Sequence, residues 1–209
     1  MKGLLLKELY MTRKHQRSWL LMMLVLIGVS CMDAEFSFFV FYPCMLCGMI
    51  PVSLLGYDER SKWDIYAGTL PCSKAQIVSA KYLIGLMIHG GVLLLTAVAQ
   101  CIRMAVTDNF VWSEYLAMIG MLVMLGCISS AMTLPFMFKF GVEKGRLAYY
   151  VMVGGISGIS VFMTRYFQPE LAQQVSFNGV LATAILIVIG LYALSWYLSI
   201  RFYEKRELK

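Results

Sequence analysis

YLIGLMIHGGVLLLTAVAQCI, residues 82–102, runs for 21 residues without a charge, and Lys81 and Arg103 close it at its two ends. A helix rises 1.5 Å per residue, so a run of this length matches a bilayer core about 30 Å thick. Outward from it lie five more apolar, charge-poor stretches: 19–32, 36–56, 115–137, 148–163 and 177–200. The first and fifth are short for a perpendicular crossing and are expected to extend, tilt or end in the interface. The chain is 60% hydrophobic and 14% charged, where a water-soluble domain carries roughly 25% charge. Spans and loops use nearly all of the 209 residues. The expectation is one all-α, integral membrane domain, 1–209, with six transmembrane helices.

Charge fixes the orientation. Sixteen of the eighteen Lys and Arg residues fall in four segments, 1–18, 57–81, 138–147 and 201–209. Arg103 and Arg165 are the other two, in the short loops that face the opposite side. Basic loops resist translocation, so the four segments read as cytoplasmic, with both termini inside. The net charge of +6 is thereby a juxtamembrane charge that meets anionic lipid. A nucleic-acid partner is excluded, because the chain offers no soluble aromatic platform for stacking bases.

The start, a basic segment followed by an apolar run, resembles a signal peptide. Its basic part is too long, however, and Asp33 and Glu35 follow without a small-residue cleavage site. Residues 19–32 are therefore read as a retained first span, preceded by a helix, 1–18, lying on the inner surface. There Leu5 and Leu9 share one face and Lys7 and Lys14 another.

Chemistry-bearing motifs are few. No G-x-x-x-x-G-K-[ST] is present to cradle ATP phosphates, and neither H-E-x-x-H nor G-x-S-x-G occurs. Cys44-Met45-Leu46-Cys47 has C-x-x-C spacing. It lies in an apolar span between Pro43 and Pro51, so it reads as small-residue packing, with no disulfide and no metal. No catalytic residue is assigned; Ser129 and Ser157 lack a Gly-flanked serine motif. In span 82–102, His89, Thr96 and Gln100, with Arg103 beyond, recur at helical spacing and share a face. Such a stripe should face the bundle interior, either to bond neighbouring helices or to line a pathway or proton relay. Gly154-x-x-x-Gly158, with Ser157 beside it, favours close helix packing within the bundle or across a dimer. Pro43, Pro51 and Pro135 each remove a backbone donor and predict kinks or breaks.

The longest loop between spans, 57–81, carries most of the functional information. Residues 58–67 read as a short helix with favourable pairs Asp58–Lys62 and Arg60–Asp64. Trp63, Tyr66, Ala67 and Leu70 make an apolar stripe; Gly68 ends the helix and Pro71 turns the chain. Ser73-Lys74-Ala75-Gln76 forms a capping box that starts the third span. Such a helix either docks on lipid alone or enters a groove on a cytosolic partner.

The series Asp58-Glu59, Trp63-Asp64, Tyr66, Leu70-Pro71-Cys72-Ser73-Lys74, Ile77-Val78 and Lys81-Tyr82-Leu83, with the opening Lys2-Gly3-Leu4-Leu5-Leu6-Lys7-Glu8, resembles the ABC-2 type permeases. It is similar to the small six-span kind of Gram-positive bacteria, including permeases of peptide exporters such as the phenol-soluble modulin exporter. The resemblance implies a multi-pass permease in a bacterial plasma membrane, without ATPase activity of its own. Such permeases work as a homodimer or with a related second permease, beside a separate cytosolic ATPase subunit that binds ATP and Mg. It implies export of an amphipathic peptide or other hydrophobic substrate. The coupling helix would be carried by Asp58, Glu59, Arg60, Lys62, Trp63, Asp64 and Tyr66, with the N-terminal helix as a second contact to the ATPase. Pathway or packing roles would fall to His89, Thr96, Gln100, Gly154, Ser157 and Gly158. A non-transporting immunity or partner protein, and an intramembrane enzyme, are the alternatives.

Overall fold

The computed structural model describes residues 2–32, 39–69, 71–107, 110–147, 150–151, 154 and 177–205. All regular structure among them is helical. Eight helices organise it: α1 (Lys2–His15), α2 (Arg17–Ser30), α3 (Phe41–Cys47), α4 (Met49–Arg60), α5 (Trp63–Ala67), α6 (Lys74–Val106), α7 (Trp112–Phe140) and α8 (Phe177–Lys205). Residues 142–147 add a further short helical stretch after α7. Among the described residues, three helices are long and apolar enough to cross a membrane: α6, α7 and 183–205 of α8. Helix α2 is apolar but shorter, and the expected second span is divided between α3 and α4. Of the expected span 148–163, residues 150, 151 and 154 are described, each helical; the rest lies outside the described residues.

Helices α7 and α8 make the largest packing seam, and α6 lies against both. One core gathers Val78, Tyr82, Leu134, Met137, Phe138 and Tyr203 around this seam. A second, with Met23, Cys44, Cys47, Ile50, Leu54, Ile84 and Leu122, joins α2, α3, α4, α6 and α7. Cys44 and Cys47 sit inside that core, at 0% and 1% exposure.

Local chemistry explains the element ends. The capping box stands as expected: Gln76 N donates to Ser73 Oγ and Ser73 N to Gln76 Oε1, both at 3.2 Å. Helix α6 then runs 33 residues, so it begins a full two turns before the apolar run quoted above. The second span breaks at Gly48, where Pro51 cannot donate to the carbonyl of Cys47. The break lets α7 come close. A Cβ built on Gly48 would lie 2.2 Å from Ser129 Oγ, and Ser129 Oγ donates to Met45 O at 3.4 Å.

Pro135 lies inside α7 without interrupting it. It leaves the Ala131 carbonyl without its helical donor, and Ser195 of α8 supplies one, Oγ to O 2.7 Å. Ser195 thereby spends its single hydroxyl proton. The Tyr82 hydroxyl, 2.8 Å away, must donate to Ser195, and Ser199, 2.7 Å from Tyr82, must donate to Tyr82. A proton-ordered chain of three hydroxyls thus pins α6, α7 and α8 together. Trp196 stacks on Tyr82 at 5.3 Å and donates Nε1–H to Ser79 Oγ at 3.0 Å, closing the joint.

Candidate functional site

The loop between α4 and α6 differs from its sequence reading in a way that matters. The expected helix 58–67 is two pieces. Helix α4 continues the second span to Arg60, and α5 restarts at Trp63. Between them Lys62 adopts φ 53°, a left-handed turn. That turn removes the helical register on which the expected Asp58–Lys62 pair depended. Asp58 pairs elsewhere.

Asp58, 2% exposed, joins an ion network of two lysines and two carboxylates drawn from three helices. Lys81 Nζ of α6 donates to Glu8 Oε2 of α1 at 2.7 Å and lies 2.5 Å from Asp58 Oδ2. Lys7 Nζ lies 2.6 Å from Asp58 Oδ1 and 3.1 Å from Glu8 Oε1. The network is neutral overall, which is what allows Lys81 to stand 1% exposed. It also changes the reading of α1. Its inward face is Leu4, Glu8 and Thr12, while Leu9 is 46% exposed. The Leu5–Leu9 face expected to decide its docking is outweighed by the pull of Lys81 and Asp58 on Glu8 and Lys7, although Leu5 does pack on the core.

The network sits beneath α5. Lys7 Nζ lies 4.1 Å from the centre of the Trp63 ring, within cation–π range. Trp63 packs on the core and Ala67 is buried, whereas Ile65 and Tyr66 are 59% and 57% exposed. The apolar stripe is therefore divided into an inward anchor and an outward pair. Glu59 also turns inward: its Oε2 accepts from Val142 N at 3.0 Å, tying α4 to the segment after α7. Of the seven residues assigned to coupling, Asp58 and Glu59 hold the loop from within, and Trp63 is half-buried. Arg60, Lys62 and Tyr66 are exposed, and Asp64 lies within α5. Leu70 lies outside the described residues. Sequence reasoning missed Lys7, Glu8, Lys81 and Ile65 as site residues. The signal for Lys81 was present: a charge directly against the apolar run must be paired or reach the interface.

The polar stripe of α6 does face inward. Thr96 and Gln100 are fully buried and His89 is 7% exposed. Gln100 Nε2 donates to Ser30 Oγ of α2 at 3.1 Å, and Thr96 Oγ1 donates to Val92 O. His89 lies on Gly126 of α7, where a Cβ would fall 2.0 Å from its Cε1. Gln100 thus bonds a neighbouring helix and His89 packs on one, while Thr96 bonds within α6. A Cβ on Gly154 would meet no heavy atom within 4 Å among the described residues; Ser157 and Gly158 lie outside them.

Three helices long and apolar enough to span a bilayer, packed beside a charge-locked loop, define a helical membrane protein. Residues 3–204 match the family described as ABC-2 family transporter protein, and the chain belongs to that family. No curated protein and no solved structure matches it.

Proposed function

We propose that this chain is the transmembrane permease subunit of an ATP-driven exporter in a bacterial plasma membrane. Six spans place both termini in the cytoplasm, and two permease copies, identical or paralogous, form the translocation unit. A separate cytosolic subunit binds ATP and Mg. Helix α5 is the coupling helix; Ile65 and Tyr66, with Arg60, Lys62 and Asp64 around them, meet that subunit. Asp58, Glu59 and Trp63 transmit its movement to α4 and α6 instead of touching it. The exported substrate is an amphipathic peptide or other hydrophobic molecule, as in the peptide exporters the sequence resembles.

The observation that carries the reading is α5 itself. It exposes an aromatic–aliphatic pair outward, while Trp63 on its inner side meets Lys7 of the ion network that joins α1, α4 and α6. A helix resting on lipid alone has no need of a rigid base. The test is purification from the native host in mild detergent, with mass spectrometry of the complex. A stoichiometric partner bearing a Walker ATPase motif is expected. A chain that purifies alone, or with a partner lacking that motif, overturns the proposal.

A further inference from the structure

We infer that the cleft between α4, the α1–α2 junction and the segment after α7 binds a phosphoester that also carries a hydroxyl donor, the chemistry of a glycerol-phosphate headgroup. The cleft measures about 500 Å³, in the range of small-molecule sites. Arg60, Lys144 and Arg146 line it, and none of the three makes an ion pair among the described residues. Two carboxylates share the lining. Glu59, which accepts from the Val142 N–H, and Glu143 thus face three cations, an excess of one positive charge. The cleft is therefore electropositive, as an anion site requires.

Gln16 supplies the second requirement. It lines the same cleft at 2% exposure, and its buried Oε1 has no hydrogen-bond donor among the described residues. A buried acceptor demands a partner. An anion without an O–H, such as sulfate, cannot be that partner, since it would set oxygen against oxygen; a hydroxyl on the ligand can, once the Gln16 amide turns towards the cleft. Trp19, 37% exposed, stands at the rim where α2 begins its apolar run. An indole there suits the headgroup level of a bilayer. The inference does not rest on the export proposal.

The test uses the full chain in phosphate-free detergent, titrated separately with dihexanoyl phosphatidylglycerol, dihexanoyl phosphatidylcholine, glycerol 3-phosphate and sulfate, with Tm as readout. Saturable stabilisation by phosphatidylglycerol, and none by phosphatidylcholine, is expected. Lys144→Gln with Arg146→Gln should weaken it roughly thirtyfold, and Lys144→Arg with Arg146→Lys should restore it. Gln16→Leu should weaken the hydroxyl-bearing ligands and leave sulfate, which has no O–H, unaffected. Stabilisation by phosphatidylglycerol alone assigns the site to lipid; equal stabilisation by glycerol 3-phosphate assigns it to a free phosphoester. Equal response to phosphatidylcholine, no saturable response, or a response unchanged in the Gln variant overturns the inference.

Discussion

Lys81 is the residue on which the candidate site turns. Its ammonium is out of water, and Glu8 and Asp58 are the carboxylates that hold it there. Removing one member of a buried ion network strands the others, which typically costs about 3–5 kcal/mol. Lys81→Met is therefore expected to lower stability by about that amount, because two carboxylates would then share Lys7 alone. Adding Glu8→Gln should recover much of the loss by removing the surplus charge. Thermal unfolding of the single and double variants in one detergent decides it; a single variant as stable as the parent contradicts the network's role. The sequence could not reveal these pairings. Asp58 has an opposite charge four residues on, at Lys62, whereas its actual partner Lys7 is 51 residues away and Lys81 finds Glu8 across 73. Nothing local announces that Lys62 would adopt φ 53° and leave the helix.

At the scale of elements, local rules were legible and partner choice was not. The capping box formed because both of its hydrogen bonds close within four residues. Pro135 could be read as a lost donor, but the element that answers it is α8, through Ser195, 64 residues beyond the Ala131 carbonyl it serves. The compensation makes a double-mutant cycle informative. Ser195→Ala should destabilise by about 1–3 kcal/mol, because the Ala131 carbonyl is left buried and unpaired. With Pro135→Ala present, residue 135 regains its N–H and can serve that carbonyl, so the penalty of Ser195→Ala should shrink. Equal penalties in the two backgrounds would mean that the seryl hydroxyl serves the Tyr82 joint alone. Gly48 gives a second case. A Cβ there would overlap Ser129 Oγ and Cβ, at 2.2 and 2.6 Å. Gly48→Ala should therefore push α3 from α7 and lower Tm, and Ser129→Gly should restore it. A Gly48→Ala chain with unaltered Tm would show that the two helices adjust freely at the break.

For the whole molecule, the arrangement separates what holds the proposed coupling region from what is exposed for the proposed partner, and that separation can be measured. Trp63 belongs to the first. It packs on the core and carries Lys7 over its ring, so Trp63→Ala should lower Tm and, by loosening α5, weaken the proposed ATPase complex as well. Ile65 and Tyr66 are more than half exposed and form the proposed contact. Replacing both with Ala should leave the Tm of the isolated permease close to the parent's. Yet an apolar anchor in a partner groove is often worth about 2 kcal/mol or more, so the complex should dissociate roughly thirtyfold more readily. Lys81→Met is the complementary case: the outward pair is intact but its base is loosened, so the ATPase should still bind while its hydrolysis no longer drives export. Binding, hydrolysis and export measured on these variants in proteoliposomes thus yield three distinct patterns. If Ile65→Ala with Tyr66→Ala leaves complex stability and export untouched, α5 is not the coupling helix. The ion network would then be a structural fastening of the bundle alone.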